Sequence, residues 1–252
     1  MKKKISTKEF HEKNHFDKHA NDYDRNYNYL DPFTKYKINK KFKHLARFIE
    51  LNYDKQPITI LDVGCGTGEY TKKIAQKYPK SKIIGLDISP QILKVAKLKC
   101  RRLRNASFVS GSAYATNFPK QKFDLIVGFY VLHHLDVKKF DKEALRILKK
   151  NGKMFFCEPN ILNPIVYLIK SNRFLKERLG DSPDEWAINP LTIGRDLKNF
   201  QVFQTTMTEF IWPTSFLSFS LLKKLDKFTN YLRYVPLLKY FGGSVELSVI
   251  KK

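Results

Sequence analysis

Ile60-Leu61-Asp62-Val63-Gly64-Cys65-Gly66-Thr67-Gly68 decides the fold. The apolar run Ile58–Val63 ends in these glycines, and helical spacing follows at Tyr70, Ile74, Ala75 and Tyr78 until Pro79 stops it. A strand running through glycines into a helix brings backbone close to a ligand and aims free N–H groups at it. The next apolar run, Ile83–Asp87, ends in an acid 21 residues beyond Gly66. A carboxylate at that strand end accepts hydrogen bonds from both hydroxyls of a ribose. Strand, glycine turn, helix, strand and acid together indicate an adenosine-containing ligand.

The rest of the middle keeps the same rhythm. Pro90 opens a helix with Ile92, Leu93, Val95, Ala96 and Leu98 on its apolar face. Ala106–Val109 and Phe123–Phe129, continuously apolar after Asp124, read as strands three and four. Phe140, Ala144, Leu145 and Leu148 mark a helix, Asn151-Gly152 a turn, and Met154–Cys157 a fifth strand. Alternating strands and helices imply an α/β fold, a doubly wound, mainly parallel sheet. Before it, residues 1–30 are polar with scattered aromatics, and Thr34–Leu51 forms one amphipathic helix. After it come an apolar-basic helix over Pro164–Arg178, a polar loop over Asp181–Asn189 and a short helix around Leu191–Leu197. Gln201–Phe210 is a candidate sixth strand. Leu217, Leu221, Leu225, Phe228 and Leu232 mark a helical stripe, and Val245, Leu247 and Val249 a closing strand. One domain over 1–252 is expected: lead-in or lid helices (1–56), a cofactor-binding half (57–158), and a sheet completion with a helical cover over the acceptor site (159–252).

Composition sets the outer limits. The 252 residues are 42% hydrophobic and 28% charged, too apolar for a disordered chain and long enough for a full core. No uninterrupted apolar run is long enough to span a bilayer, and no apolar stretch follows Met1-Lys2-Lys3-Lys4-Ile5 to make a secretory signal. Cys65, Cys100 and Cys157 form no metal or disulfide pattern, so a reduced, cytoplasmic setting is expected. The net charge of +23 is spread as +6, +12 and +5 over residues 1–56, 57–158 and 159–252, and 37 of its 47 basic residues are lysines. The field of such a charge attracts anionic partners, whether RNA, acidic lipid headgroups or phosphorylated metabolites. Nucleic-acid recognition favours the arginine fork, however, so the even, lysine-rich spread makes a nucleic-acid partner the lesser expectation.

The turn also narrows the ligand. Nicotinamide sites space their glycines as GxGxxG, whereas this turn loses one residue and gains Asp62. An acid there repels pyrophosphate and suits a cationic ligand such as S-adenosylmethionine, which has an ammonium, a sulfonium and no phosphate. Here the sequence resembles the class I S-adenosylmethionine-dependent methyltransferases, from about Phe16 to Asn160. The likeness lies in Ile60–Gly68, Gly85–Pro90, Phe123–Val127 with Val131–Leu135, Ala144–Lys149, and the lead-in Phe16–Asp24.

The resemblance implies a seven-stranded Rossmann-like sheet whose last strand is antiparallel. It implies that Gly64, Cys65, Gly66 and Gly68 pass under the methionine and ribose, that Asp62 helps hold the ammonium, that Asp87 binds the ribose, and that Ile88 packs on adenine. Ser112 and Ala113 follow the third strand, where the family has an acid for the adenine amine; a serine hydroxyl accepts without charge assistance. Phe129 and Tyr130 should border the transferred methyl, and Tyr23 should close over the cofactor or simply pack. His133 and His134 are base candidates for an acceptor that keeps its proton, or residues of a helix start.

No metal site is expected, although His11, His15 and His19 would share one helix face. Glu158-Pro159-Asn160 either reaches the acceptor or caps the next helix. Ile165–Arg178 and Phe216–Tyr240 place apolar residues beside lysines and arginines, suiting a cover over a greasy acceptor, contact with an anionic membrane surface, or packing at the sheet edge. The expected activity is methyl transfer to a small, apolar or lipid-linked acceptor, with oxygen favoured. The rivals are RNA methylation and non-catalytic cofactor binding.

Overall fold

A computed structural model describes residues 6–54, 56–179, 181–182, 185–211 and 216–252. Met1–Ile5, the segment read for a leader, lies outside them, as do two positions of the Asp181–Asn189 loop. Seven strands form one sheet in the order β3-β2-β1-β4-β5-β7-β6. They are β1 (Thr59–Val63), β2 (Lys82–Asp87), β3 (Ala106–Ser110), β4 (Phe123–Phe129), β5 (Leu148–Pro159), β6 (Phe200–Thr208) and β7 (Ser244–Lys251). The first five pair in parallel, and β7 runs antiparallel between β5 and β6, as expected.

Parallel neighbours need crossovers, and α4 (Glu69–Lys77), α5 (Pro90–Lys99) and α6 (Val137–Ile147) supply them. Ile74 of α4 and Leu45, Phe48 and Ile49 of α3 (Pro32–Tyr53) bury one sheet face with Leu125, Val127 and Phe155. Phe140, Ala144 and Ile147 of α6 pack with Ile126, Phe156 and Leu247 in a second core. Both faces of β4 are therefore covered, which explains its apolar run after Asp124.

Three expectations change. Asn151-Gly152 does not end an element: β5 runs through it, and the register jumps from Phe123↔Leu148 to Leu125↔Lys153, so the extra residues form a bulge. The Pro164–Arg178 helix divides into α7 (Pro164–Ser171) and α8 (Arg173–Leu179), because the Asn172 side chain caps the second by accepting from Leu175 N–H at 3.1 Å. The short helix around Leu191–Leu197 is α9 (Ile193–Asp196), and the helical stripe after Leu217 is regular only over α10 (Phe219–Thr229) and continues as 3-10 turns at Asn230–Tyr234 and Leu238–Phe241. Pro236 between those turns cannot continue a helix.

The polar lead-in holds two helices, α1 (Thr7–His19), started by a capping box in which Ser6 and Glu9 bond reciprocally, and the one-turn α2 (Tyr23–Asn26). Among the described residues, no helix is long and apolar enough to cross a membrane.

Candidate functional site

The carboxyl ends of β1, β2 and β4 open into a slot roofed by α1. Gly64 and Gly66 line it with left-handed backbone, φ 62° and 51°, which a side chain adopts only under strain. A Cβ on Gly64 would stand 2.2 Å from the Val131 methyl, and one on Gly66 would touch the Tyr23 ring. Asp87 faces the same slot. Its carboxylate accepts from the N–H groups of Gly66 and Ser89, each at 2.9 Å, so the acid also shapes the turn. Burial pushes the Asp87 carboxyl up, and those two amides pull it partly back.

Beyond Asp87 the slot becomes apolar at Ile88, Ile92, Ala113 and Leu135. Such a slot suits a purine. Ser112 does not line it; its hydroxyl donates to Glu9 of α1, and Glu9 does line it. The roof is latched elsewhere too. Asp17 accepts from Ser89 Oγ at 2.5 Å and from Gln91 N–H, and Asp24 accepts from Thr67 Oγ1 at 2.6 Å and pairs with Lys99.

Three of the expected cofactor residues, Asp62, Cys65 and Gly68, do not line the slot. Asp62 lies behind the slot and accepts from Thr71 Oγ1 at 2.5 Å; burial pushes its carboxyl up to about 7 despite that bond. Cys65 turns into a cluster with Leu93, Ala96 and Phe108, its N–H spent on the Leu86 carbonyl. Gly68 lets α4 approach α5, since a Cβ there would lie 3.1 Å from that of Ala96.

A second chamber of about 400 Å³ adjoins the slot. Phe16, Tyr23, Phe129, Tyr130 and His134 line both, so these residues form the passage. Phe129 is fixed by stacking on Tyr70, ring centroids 3.5 Å apart and planes within 2°. Tyr130 sits at φ 56° and donates to Glu209 Oε2 at 2.7 Å. Burial would raise the Glu209 carboxyl, yet Lys37 at 3.1 Å and Lys41 at 2.5 Å hold it well below the usual range. The opposite wall comes from Val166, Ile169 and Leu179 of the cover.

The two histidines separate. Glu158 is fully buried, accepts from the N–H groups of Val131 and Leu132, and takes His133 Nδ1–H at 2.6 Å. His133 Nε2 lies 3.2 Å from Glu185. Burial lowers its affinity for a proton, but the two carboxylates more than offset this and raise the ring to about 9. His133 is thus an imidazolium at neutral pH, charged already and unsuited to accept a proton. His134 has Glu12 of α1 3.2 Å from its Nδ1 and Glu185 3.8 Å from its Nε2. His133, His134 and Glu185 approach as a metal set would, a grouping the sequence reading did not foresee. Lys170 already places its ammonium on the same Glu185 carboxylate, with Asp181 at 2.7 Å. His15 and His19 do share a face of α1, their rings 5.1 Å apart.

Asn160 ties β5 to the C-terminal turns, its side-chain amide donating to the carbonyls of Tyr240 and Gly242, while the next helix is capped by Asn163, which accepts from the N–H groups of Ile165 and Val166. Sequence reasoning missed Glu9, Glu12, Glu185, Lys37, Lys41 and Glu209. Lys41 left a trace, a lysine within the apolar stripe Ile38, Leu45 and Phe48. Glu185 left none, being one acid in a polar loop.

Fold and slot define a Rossmann-like methyltransferase, and the comparisons with known proteins agree. The chain belongs to the class I S-adenosylmethionine-dependent methyltransferases, and S-adenosylmethionine is its cofactor. Residues 60–152 match the family described as "Methyltransferase domain". A malonyl-[acyl-carrier protein] O-methyltransferase of Ilyobacter polytropus is 34% identical over 215 residues, 82% of this chain and 72% of that protein. A demethylmenaquinone methyltransferase of Lactococcus lactis is 35% identical over 109 residues, 42% of this chain, and the match spans only 43% of that relative's length. A methyltransferase structure from Thermotoga maritima superposes with TM-score 0.61 at 18% identity, covering 95% of this chain and 99% of that one.

Proposed function

We propose that this chain transfers a methyl group from S-adenosylmethionine to a small acceptor with an apolar body, at an oxygen atom. The observation carrying this reading is the chamber of about 400 Å³ that meets the cofactor slot at Phe129, Tyr130 and His134. Its aromatic and aliphatic walls suit an apolar body, and the malonyl-[acyl-carrier protein] relative is by name an O-methyltransferase.

The residues present fit the cofactor. Glycines without a Cβ, the inward Asp87 and an apolar slot match a ribose joined to a purine. When bound, the cofactor supplies a methyl group on a sulfonium, already strongly electrophilic. Asp87 holds the ribose hydroxyls, Ile88 packs on the purine face, and Glu9 accepts from its amine. The roof of α1 and the Tyr23 ring exclude water.

Phe129 and Tyr130 fix the acceptor, since Tyr70 stacking and the Glu209 bond remove their freedom to turn. His134 accepts the acceptor's proton, with the Glu12 carboxylate 3.2 Å from its Nδ1. His133 is a positioning residue that holds Glu185 and the turn carrying His134.

Labelled methyl transfer into a cell extract, separated into lipid, small-molecule and RNA fractions, tests the reading. Label in the lipid or small-molecule fraction supports it. Label confined to RNA, or none despite tight cofactor binding, overturns it.

A further inference from the structure

The C-terminal cover leaves a large apolar face without a partner inside the fold. Leu221 and Phe228 point outward from α10, Phe228 76% exposed, while Leu222 and Asp226 point inward. The 3-10 turns extend this face with Tyr231, Tyr234 and Leu237, exposed by 71%, 75% and 77%. It joins α7 through Asn163, whose amide donates to the Phe241 carbonyl, and Leu168 of α7 is 60% exposed. Scattered single apolar residues are ordinary on a surface, but a run of this extent marks an interaction site.

The charges on this face identify its partner. From Phe219 to Phe241 the only carboxylate is Asp226, which is buried and bonded to Tyr36 and Lys40. Lys223, Lys224 and Lys227 are exposed on α10, and Arg233 and Lys239 follow on the turns. Aromatic and aliphatic residues bordered by cations of one sign fit the interface of an anionic bilayer. A second copy of the same face would bring like charges together.

We propose that the face formed by α10, the two following turns and α7 docks on an anionic lipid surface. Docking there sets the chamber wall made by Val166, Ile169 and Leu179 beside the bilayer, so an apolar acceptor can pass from lipid to chamber without crossing water. Membrane docking does not depend on the methyl-transfer reading, because it can be measured without turnover.

The test is co-sedimentation of the full chain with phosphatidylcholine vesicles, with and without phosphatidylglycerol. Binding should need the anionic lipid and weaken as salt rises. Lys223→Glu with Lys227→Glu should weaken it by roughly an order of magnitude. Phe228→Asp with Leu237→Asp should do the same while leaving cofactor affinity and the melting temperature unchanged. Absent vesicle binding, equal binding to neutral vesicles, or undiminished binding by both variants would overturn the proposal. So would a concentration-dependent dimer in sedimentation velocity that the Phe228/Leu237 variant abolishes.

Discussion

The Ser112 hydroxyl donates to the Glu9 carboxylate across a sequence separation of 103 residues. Beyond β3 the chain offers only this hydroxyl, which does not line the slot, and the roof helix brings an acid that does, so in the proposed function Glu9 meets the purine amine. Glu9→Ala should weaken S-adenosylhomocysteine binding by about 1.5–3 kcal/mol, the worth of a hydrogen bond to a charged group. The difference from wild type should vanish for an analogue whose purine has no amine. Titration calorimetry with both ligands decides the point; equal losses for the two would remove the recognition role.

Asp87 braces Gly66 and Ser89 through their amides, and the proposed function gives it a second task, holding the ribose. Asp87→Asn keeps the shape and one acceptor oxygen, whereas Asp87→Ala loses both. The expected order of cofactor affinity is wild type, Asn, then Ala, with Ala down by roughly 10- to 100-fold. An alanine variant that binds as tightly as wild type would contradict the assignment.

Gly64→Ala places a methyl 2.2 Å from Val131 at a backbone angle of 62°. Strain and overpacking together should cost roughly 2–4 kcal/mol, seen as a lower denaturant midpoint. Gly64→Ala with Val131→Ala should recover part of the loss, because it relieves the clash but not the strain.

His133 gives a signed pH dependence. The folded ring titrates near 9 and a free ring near 6.5, so its pairing with Glu158 and Glu185 stabilises fully below 6.5. That stabilisation is lost as pH rises through 9, with a slope of up to about 1.4 kcal/mol per pH unit. His133→Gln should flatten this alkaline slope in melts run across the window. His134→Ala should instead lower kcat by roughly 10²- to 10⁴-fold with cofactor affinity kept.

Lys41→Met removes one of two cations from buried Glu209. Breaking such a pair from one side should cost roughly 3–5 kcal/mol, because the remaining charge stays in a dry setting. Lys41→Met with Glu209→Gln should be more stable than Lys41→Met alone.

Much of the fold follows from local pattern. Strand-turn-helix at Ile60–Gly68 and the continuous apolar run of β4 are set by neighbours a few residues apart, and such signals survive in one dimension. Element ends read less well: a bulge absorbs Asn151-Gly152, and Asn172 divides a helix whose apolar spacing runs on. Of the site, Gly64, Gly66 and Asp87 were legible because one βαβ unit carries all three.

By itself, then, the sequence determined the doubly wound sheet, the cofactor turn and its acid, since backbone geometry within about thirty residues dictates them. Only the tertiary structure decided that Glu9 lines the slot beside Ser112 and that His133 is held charged by Glu158 and Glu185. It likewise set Glu209 between Lys37 and Lys41. Each of these depends on long-range packing that buries a carboxylate beside a chosen partner, and no spacing along the chain encodes which partner that is.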